Sequence, residues 1–239
     1  MNKQERTTTN MLYDEIMKIV TLAGELMLQA QDEELTVFDK EGTANFVTKH
    51  DKEIQFYLIQ NLRQLIPEAT FLAEEDGMQQ ELGDGYCSVS YTHLTLPTTS
   101  RRQRQMCIRD SFIIDPIDGT TNFIFDYKHS CISVGLTKFG RMLFGCVYNP
   151  YTREMYSAVK GEGAKLNGKE IHCSDKGLAD NLVAFGTARY QTEDTDRIFD
   201  HAKKLYLNSL GIRAGGSAAL DICRVASGAN AVSYTHLRA

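Results

Sequence analysis

Residues 112–123, FIIDPIDGTTNF, bring two carboxylates to the end of an apolar run. The run predicts a strand that ends at Asp115, and Asp118 follows three residues later. The next three residues, GTT, are typical of a turn that leads into a helix. Carboxylates bind hard cations such as Mg²⁺, and the first amides of a helix bind phosphate. The segment therefore predicts a site at which metal ions bridge the protein and a phosphate group.

A second acidic strand end supports this interpretation. An Asp-x-x-Asp pattern alone is weak evidence, because most acidic turns are solvated caps. Residues 71–76, FLAEED, form another apolar run, which ends in Glu74 and Glu75. Two strands that each carry carboxylates at their ends can supply the ligands of a multi-metal site.

Hydrophobic periodicity predicts the elements that position these residues. A stripe from Leu12 to Met27 predicts one helix, and a second helix begins at about Asp51 and ends before Pro67. Further helices are predicted at 197–210 and from about Ala218. Shorter runs predict strands at 70–73, 112–114, 132–137, 142–148, 154–158 and 182–185, with a hairpin turn at 138–141.

Helices mixed with hairpins predict an α/β fold of the layered α+β type. A division near Asn149 and Pro150 would separate two subdomains. Residues 1–150 would form an N-terminal metal-binding subdomain, and residues 151–231 a partial C-terminal α/β subdomain.

Composition argues against several classes of protein. The chain has 239 residues, 42% of them hydrophobic, and a net charge of −5, which argues against a general nucleic-acid binder. Its first ten residues lack the apolar stretch of a signal peptide, and no run is long enough to cross a bilayer. We therefore expect a cytoplasmic protein with no membrane partner. The six cysteines form no CxxC pair, so we expect reduced structural thiols rather than a zinc site.

Four segments together resemble the inositol monophosphatase family of Mg²⁺-dependent, lithium-sensitive sugar-phosphate phosphatases. They are NFVTKHD at 45–51, AEED at 73–76, DPIDGTTNF at 115–123 and GIRAGGSAALDICRVASG at 211–228. The resemblance implies alternating helix and sheet layers of the sugar-phosphatase type, a small phosphorylated substrate and a homodimer.

The resemblance also implies roles for individual residues in catalysis by a metal-activated water. The Mg²⁺ ligands would be Glu74, Asp115, Asp118 and the carbonyl of Ile117, with Glu75 supporting the metal shell.

The resemblance further implies that Thr120, paired with Asp51 and helped by Glu74, would orient and deprotonate the attacking water. The amides of Gly119 and Thr120 would hold the phosphate, and Lys40 would lie near it. The sugar side would be lined by Gly216, Ser217 and Ala218, and the metal ligands Glu74, Ile117 and Asp118 would also face the substrate.

Several of these residues have a purely structural alternative. Asp51 stands at a helix start and is a candidate N-cap. Residues 215–217 suit a turn and cap before the last helix, whatever the function. Lys40 alone would be a solvated surface lysine. The isolated histidines His50, His129 and His172 are predicted to be structural or exposed.

One six-residue segment, VSYTHL, occurs at 89–94 and again at 232–237, and both copies lie where the family pattern fails. Removing residues 88–111 would restore the pattern as DGYC followed by FIIDPIDGTTNF. Beyond VASG the family continues to a Trp-Asp pair whose Asp is a metal ligand, whereas this chain has no tryptophan. We interpret 88–111 and 232–239 as non-native, adapter-derived sequence, and expect the 239-residue chain to be poorly stable and weakly active. A natural insertion with a natural truncation is the alternative.

The leading functional hypothesis is a phosphomonoesterase for inositol monophosphate or a related sugar phosphate. A phosphatase for fructose 1,6-bisphosphate, NADP or 3′-phosphoadenosine nucleotides on the same fold is the alternative within the enzyme class. A non-catalytic protein that binds phosphorylated ligands or a partner is the alternative from another class. An RNA-binding version of it would use RRQR at 101–104, which lies inside the suspect insertion.

Overall fold

Two long helices at the start of the described chain pack against each other and against the main sheet. The computed structural model describes residues 3–31, 37–39, 46–73, 86–88, 110–186, 195–230 and 232–234. Helix α1 is Lys3–Ala30 and helix α2 is Lys49–Leu65. The predicted stripe of α1 is buried at Ile16, Val20 and Met27, which are all 0% exposed. Burial of these apolar side chains against the sheet stabilises a helix far more than its intrinsic propensity does.

Among the described residues, the main sheet has eight strands, and most neighbours are antiparallel. Its strands are β3 Thr70–Ala73, β4 Tyr86–Ser88, β5 Asp110–Asp118, β6 Cys131–Lys138, β7 Arg141–Asn149, β8 Glu154–Val159, β9 Gly163–Leu166 and β10 Lys169–Ile171. Their spatial order is β10-β9-β8-β7-β6-β5-β3-β4. Strand β3 is parallel to both β4 and β5. Two further strands, β1 Val37–Asp39 and β2 Phe46–Thr48, form a separate antiparallel pair.

The predicted hairpin between β6 and β7 is confirmed. Phe139 and Gly140 connect the strands with φ angles of 51° and 68°. Positive φ at both positions is the signature of a two-residue type I′ turn, whose twist matches that of the flanking strands.

A second, three-stranded sheet lies beyond the first in sequence, in the order β12-β11-β13. Its members are β11 Leu182–Phe185, β12 Gly211–Arg213 and β13 Val232–Tyr234, and β11 is parallel to both neighbours. Three more helices are α3 Thr120–Ile124, α4 Thr195–Leu207 and α5 Ala218–Ala226. Helix α5 contacts β6 and β7 of the main sheet as well as β11. The predicted α/β fold of helix and sheet layers is confirmed.

Some predicted boundaries shift. The main sheet continues through Asn149 and Pro150, because β7 and β8 form a hairpin in which Asn149 pairs with Glu154. The change of sheet therefore falls after Ile171. Parts of the suspect segments also lie in strands: residues 110–111 begin β5, and Val232–Tyr234 forms β13. Within the described residues, no helix is both long and apolar enough to cross a membrane.

Candidate functional site

A β-bulge in β5 places the two acidic residues of the motif on one face of the sheet. Asp115 pairs with Ser133 of β6, and Asp118 pairs with Cys131. Three steps along β5 thus match two steps along β6, which is the one-residue excess of a bulge. In a regular strand, residues three apart point to opposite faces. The bulge reverses that parity, because Ser133 and Cys131 are two apart and share a face.

Both carboxylates are at least partly shielded from solvent. The side chain of Asp115 is buried, and Asp118 is half-buried. Strand β3 ends at Ala73, which pairs with Ile114, the residue before Asp115. Glu74 and Glu75 follow Ala73 in the sequence and, like Lys40, lie outside the described residues.

Asp118 also anchors the start of helix α5. Its Oδ2 accepts hydrogen bonds from the Ser217 hydroxyl and, at 2.8 Å, from the amide of Ala219. Ser217 is at the same time the N-cap of α5, since its Oγ accepts from the amide of Leu220 at 3.4 Å. Ser217 therefore has the capping role expected of a structural residue and a direct contact with the acidic motif.

Thr120, the first residue of α3, lies between the end of strand β5 and helix α2. Its Oγ1 is 3.0 Å from the carbonyl oxygen of Ile117 and 3.4 Å from Oδ1 of Asp51. The hydroxyl has one hydrogen, so it donates to one of these acceptors at a time. A threonine next to a buried carboxylate is an arrangement that can hold and orient a water molecule.

The predicted N-cap role of Asp51 is wrong in detail. Thr48 is the N-cap of α2, and Asp51 is the third helical residue of a capping box. Its Oδ2 accepts from the Thr48 amide at 2.8 Å and from the Thr48 hydroxyl. Oδ1 is the oxygen that faces Thr120. Each carboxylate oxygen thus has its own contact, so the capping bonds to Thr48 and the approach to Thr120 coexist.

Two glycines allow the turn at 118–120 and the loop at 215–218 to touch. Gly119 has φ of 90°, a left-handed conformation that L side chains rarely adopt. A Cβ there would lie 3.2 Å from the carbonyl oxygen of Gly216, which itself has φ of 79°. The structure therefore brings together two sets of predicted residues. They are Asp118, Gly119 and Thr120 of the turn, and Gly216, Ser217 and Ala218 of the loop.

Burial is the main cause of the pKa shifts of three side chains around the motif. Burial raises the pKa of the Cys131 thiol well above its ordinary value, and the charge of Asp118 raises it further. Burial and then the same charge raise the pKa of Asp221 to about 6. Burial lowers the pKa of His129, and the Arg224 guanidinium lowers it further. The raised pKa keeps the buried Cys131 thiol protonated, and the pKa of Asp221 lies well above its ordinary value of 3.8.

The donor set suits a hard cation. Carboxylates and a backbone carbonyl are the ligands that Mg²⁺ and Ca²⁺ prefer, whereas zinc favours nitrogen and sulfur. Asp115, Asp118 and the carbonyl of Ile117 offer oxygen donors of this kind. In the part of the chain that the structure describes, no group of three or more acidic, histidine or cysteine residues is placed to hold a metal. Glu74 is the residue predicted to complete the set.

Sequence reasoning missed three residues that lie at this site. Asn122 and Asp221 belong to the motifs at 112–123 and 211–228 but received no role, and His129 was treated as isolated. Their position next to Gly215 and Gly216 depends on contacts between distant parts of the chain. The signal that was available is that Asn122 and Asp221 lie within the matched motifs. The other two histidines named from the sequence are placed as expected, with His50 buried beside Glu53 and His172 exposed.

Comparison with known proteins gives consistent matches. A sequence model of the inositol monophosphatase family matches residues 9–238. Inositol monophosphatase 2 of Saccharomyces cerevisiae is 36% identical over 200 residues, which are 80% of this chain and 61% of that protein. The chain thus spans less than two thirds of the length of this relative.

Two solved structures share the fold. The extragenic suppressor protein SuhB of Bartonella henselae superposes with a TM-score of 0.74 at 24% identity, covering 91% of this chain and 75% of that one. A protein described as an IMPase/NADP phosphatase, complexed with Mg²⁺ and phosphate, superposes with a TM-score of 0.68 at 25% identity, covering 95% and 74%.

Proposed function

The chain belongs to the inositol monophosphatase family, and on that premise we propose that its site hydrolyses phosphate monoesters with the help of Mg²⁺. The observation that carries the proposal is the bulge in β5, which puts Asp115 and Asp118 on one face of the sheet. The neighbouring contact between Thr120 and Asp51 adds a means of activating water. One solved relative is described as a complex with Mg²⁺ and phosphate, which supports the choice of cation.

Asp115, Asp118, the carbonyl of Ile117 and the predicted Glu74 would hold the cation. Because Oδ2 of Asp118 is engaged with Ser217 and Ala219, its other oxygen is the one proposed to face the cation. When bound, the cation supplies positive charge for the phosphate oxygens and for the leaving alkoxide.

The chain's own residues orient the nucleophile. When the Thr120 hydroxyl donates to Oδ1 of Asp51, its oxygen is left to accept a hydrogen from a water molecule. Asp51 then holds the threonine in that orientation and can receive the proton as the water attacks the phosphorus. The amides of Gly119 and Thr120, at the start of α3, are proposed to bind the phosphate oxygens. No covalent intermediate is required.

Substrate class is proposed from the family and its relatives. Inositol monophosphate or a related sugar phosphate is the leading candidate, because the yeast relative is an inositol monophosphatase. NADP is a second candidate, because one solved relative is described as an IMPase/NADP phosphatase. The loop at 215–218 is proposed to face the alcohol part of the ester.

Phosphate release from a panel of esters tests the proposal. The 239-residue chain is incubated with Mg²⁺ and myo-inositol 1-phosphate, fructose 1,6-bisphosphate or NADP, at enzyme concentrations close to those of substrate, so that a single turnover is detected. We expect release to be fastest from the inositol ester. Absence of release from every ester would contradict the proposed activity and favour a non-catalytic phospholigand-binding protein.

A further inference from the structure

Asn122 bridges two loops of the site through one amide group. Its Nδ2 donates to the carbonyl oxygen of His129 at 2.7 Å and to that of Gly215 at 2.8 Å. A side-chain amide has two hydrogens, so both are used. Asn122 lies in the motif at 112–123 and His129 shortly after it, whereas Gly215 lies 93 residues away from Asn122 in the sequence.

The backbone of the loop at 215–218 packs closely against the Asn122 amide. A Cβ on Gly216 would lie 2.9 Å from Nδ2 of Asn122 and 3.0 Å from its Oδ1. A Cβ on Gly215 would lie 2.8 Å from Oδ1 of Asp221 and 2.9 Å from Nε2 of His129. Neither position has room for a side chain, so the backbone of both glycines is held between the three side chains.

We propose that Asn122 is a positioning residue that sets where the loop at 215–218 lies relative to the turn at 118–120. This inference rests on the proposed function, in which the loop faces the alcohol part of the ester and the turn faces its phosphate. Asp118 also ties the two segments together, through Ser217 and Ala219. Asn122 adds a contact that carries no charge and needs no cation.

The chemistry of the contact requires an amide. Both partners of Nδ2 are carbonyl oxygens, which accept hydrogen bonds and repel a carboxylate. Asn122→Asp keeps the shape of the side chain but replaces both donors with an acceptor. Asn122→Ala removes the donors without adding charge, so the two variants separate loss of the bonds from repulsion.

Hydrogen exchange tests the bridge without any enzyme activity. Loss of two neutral hydrogen bonds predicts that amides in residues 211–220 exchange about ten-fold faster or more in Asn122→Asp, and with a smaller increase in Asn122→Ala. Amides of α1 and α2 should exchange as in the parent chain. Asn208→Asp is the matched control, since Nδ2 of Asn208 donates to the Lys204 carbonyl at 2.8 Å on the exposed end of α4. Unchanged exchange at 211–220 in both Asn122 variants would overturn the proposal.

Kinetics separate a positioning role from a merely structural one. We expect Asn122→Ala to raise KM for myo-inositol 1-phosphate about ten-fold, in line with the lost bonds, while inhibition by inorganic phosphate stays within two-fold. The positioning role would be overturned if KM for the ester and the inhibition constant for phosphate changed equally. It would also be overturned if KM stayed unchanged while exchange at 211–220 became faster. A parent chain that releases no phosphate would refute the proposed function, and exchange at 211–220 would still decide whether Asn122 holds the loop.

Discussion

The hydroxyl oxygen of Thr120 lies 3.4 Å from Oδ1 of Asp51, although 69 residues separate the two in the sequence. Helix α2 brings the carboxylate, and the turn after the bulge in β5 brings the hydroxyl. Asp51 is held in place by its capping-box bonds to Thr48, so its orientation does not depend on a ligand. The pair is therefore formed by the fold before any substrate is bound.

Replacing the hydroxyl tests its proposed role in water activation. Thr120→Val keeps the branched shape but cannot hold a water, and we expect phosphate release to slow by about 10²–10⁴-fold. Thr120→Ser restores the hydroxyl and should retain most of the rate. Thr121→Val, at the exposed neighbouring position of α3, is the control. Equal rates for Thr120→Val and Thr121→Val, measured by single-turnover phosphate release, would remove Thr120 from the mechanism.

The two oxygens of Asp51 can be tested separately. Thr48→Ala removes the hydroxyl of the capping box and should lower the free energy of unfolding by about 0.5–2 kcal/mol, with little change in the rate for the folded fraction. Asp51→Asn should slow phosphate release by about 10²–10⁴-fold, because an amide is a poor proton acceptor. Urea unfolding and single-turnover rates give the two readouts. If both variants lose rate in proportion to stability alone, Asp51 has only a capping role.

The raised pKa of Asp221 predicts that the stability of the protein depends on pH. Its pKa in the folded state is about 6, above the ordinary value of 3.8, because of burial and the charge of Asp118. The folded state thus holds this proton more tightly than the unfolded chain does. Stability from this group is therefore present below about pH 4 and is lost as pH rises through about 6.

Asp221→Asn should remove the loss of stability that the parent chain shows as pH rises through about 6. We expect the variant to be more stable than the parent chain by roughly 1–3 kcal/mol at pH 7.5, with the difference shrinking towards zero at pH 4. Urea unfolding in the presence of EDTA gives the measurement, since a cation at Asp118 would neutralise the charge that raises the pKa. A stability difference that is the same at both pH values would contradict this account of Asp221.

Strand β4 provides a test of the suspect segment at 88–111. Strands β4 and β5 pair with opposite edges of β3, Cys87 opposite Leu72 and Phe112 opposite Phe71. Two strand spacings, about 9.5 Å, separate β4 from β5, whereas consecutive Cα atoms are about 3.8 Å apart. If Cys87 were joined directly to Phe112, β4 would therefore leave the edge of β3.

We expect the variant that lacks residues 88–111 to fold. Tyr86 and Cys87 would take the places of Asp110 and Ser111 as the first residues of β5, and β3 would become the edge strand. Because loop-closure entropy changes slowly with length, its melting temperature should be no lower than that of the parent chain. Calorimetry and a crystal structure of the variant provide the test. A variant that does not fold would show that residues 88–111 are an integral part of the protein.

Local patterns in the sequence were enough to predict most elements of the fold. Strands at 70–73 and 182–185 lie where the apolar runs predicted them, and Ala218 begins the last helix. Side-chain period and turn residues determine such elements locally. The start of α1 at Lys3 and the extension of the sheet to β10 were not predicted, because their residues show weaker periodicity.

The geometry of the site could be predicted only in part. Motifs named the residues that the structure brings together, but not how they meet. The bulge that reverses the parity between Asp115 and Asp118 depends on pairing with β6. The bonds from Ser217 to Asp118 and from Asn122 to Gly215 join segments 99 and 93 residues apart. Such contacts result from packing of the whole fold, which no local pattern encodes.

The most direct test of the proposed function is phosphate release from myo-inositol 1-phosphate as a function of Mg²⁺ concentration, for the parent chain and for Asp118→Asn. Asp126→Asn, at an exposed position eight residues on, is the matched control. The account predicts release that requires Mg²⁺, falls by at least about 10²-fold in Asp118→Asn, and is unchanged in Asp126→Asn. Release that persists in EDTA, or that is the same in Asp118→Asn as in the parent chain, would contradict it.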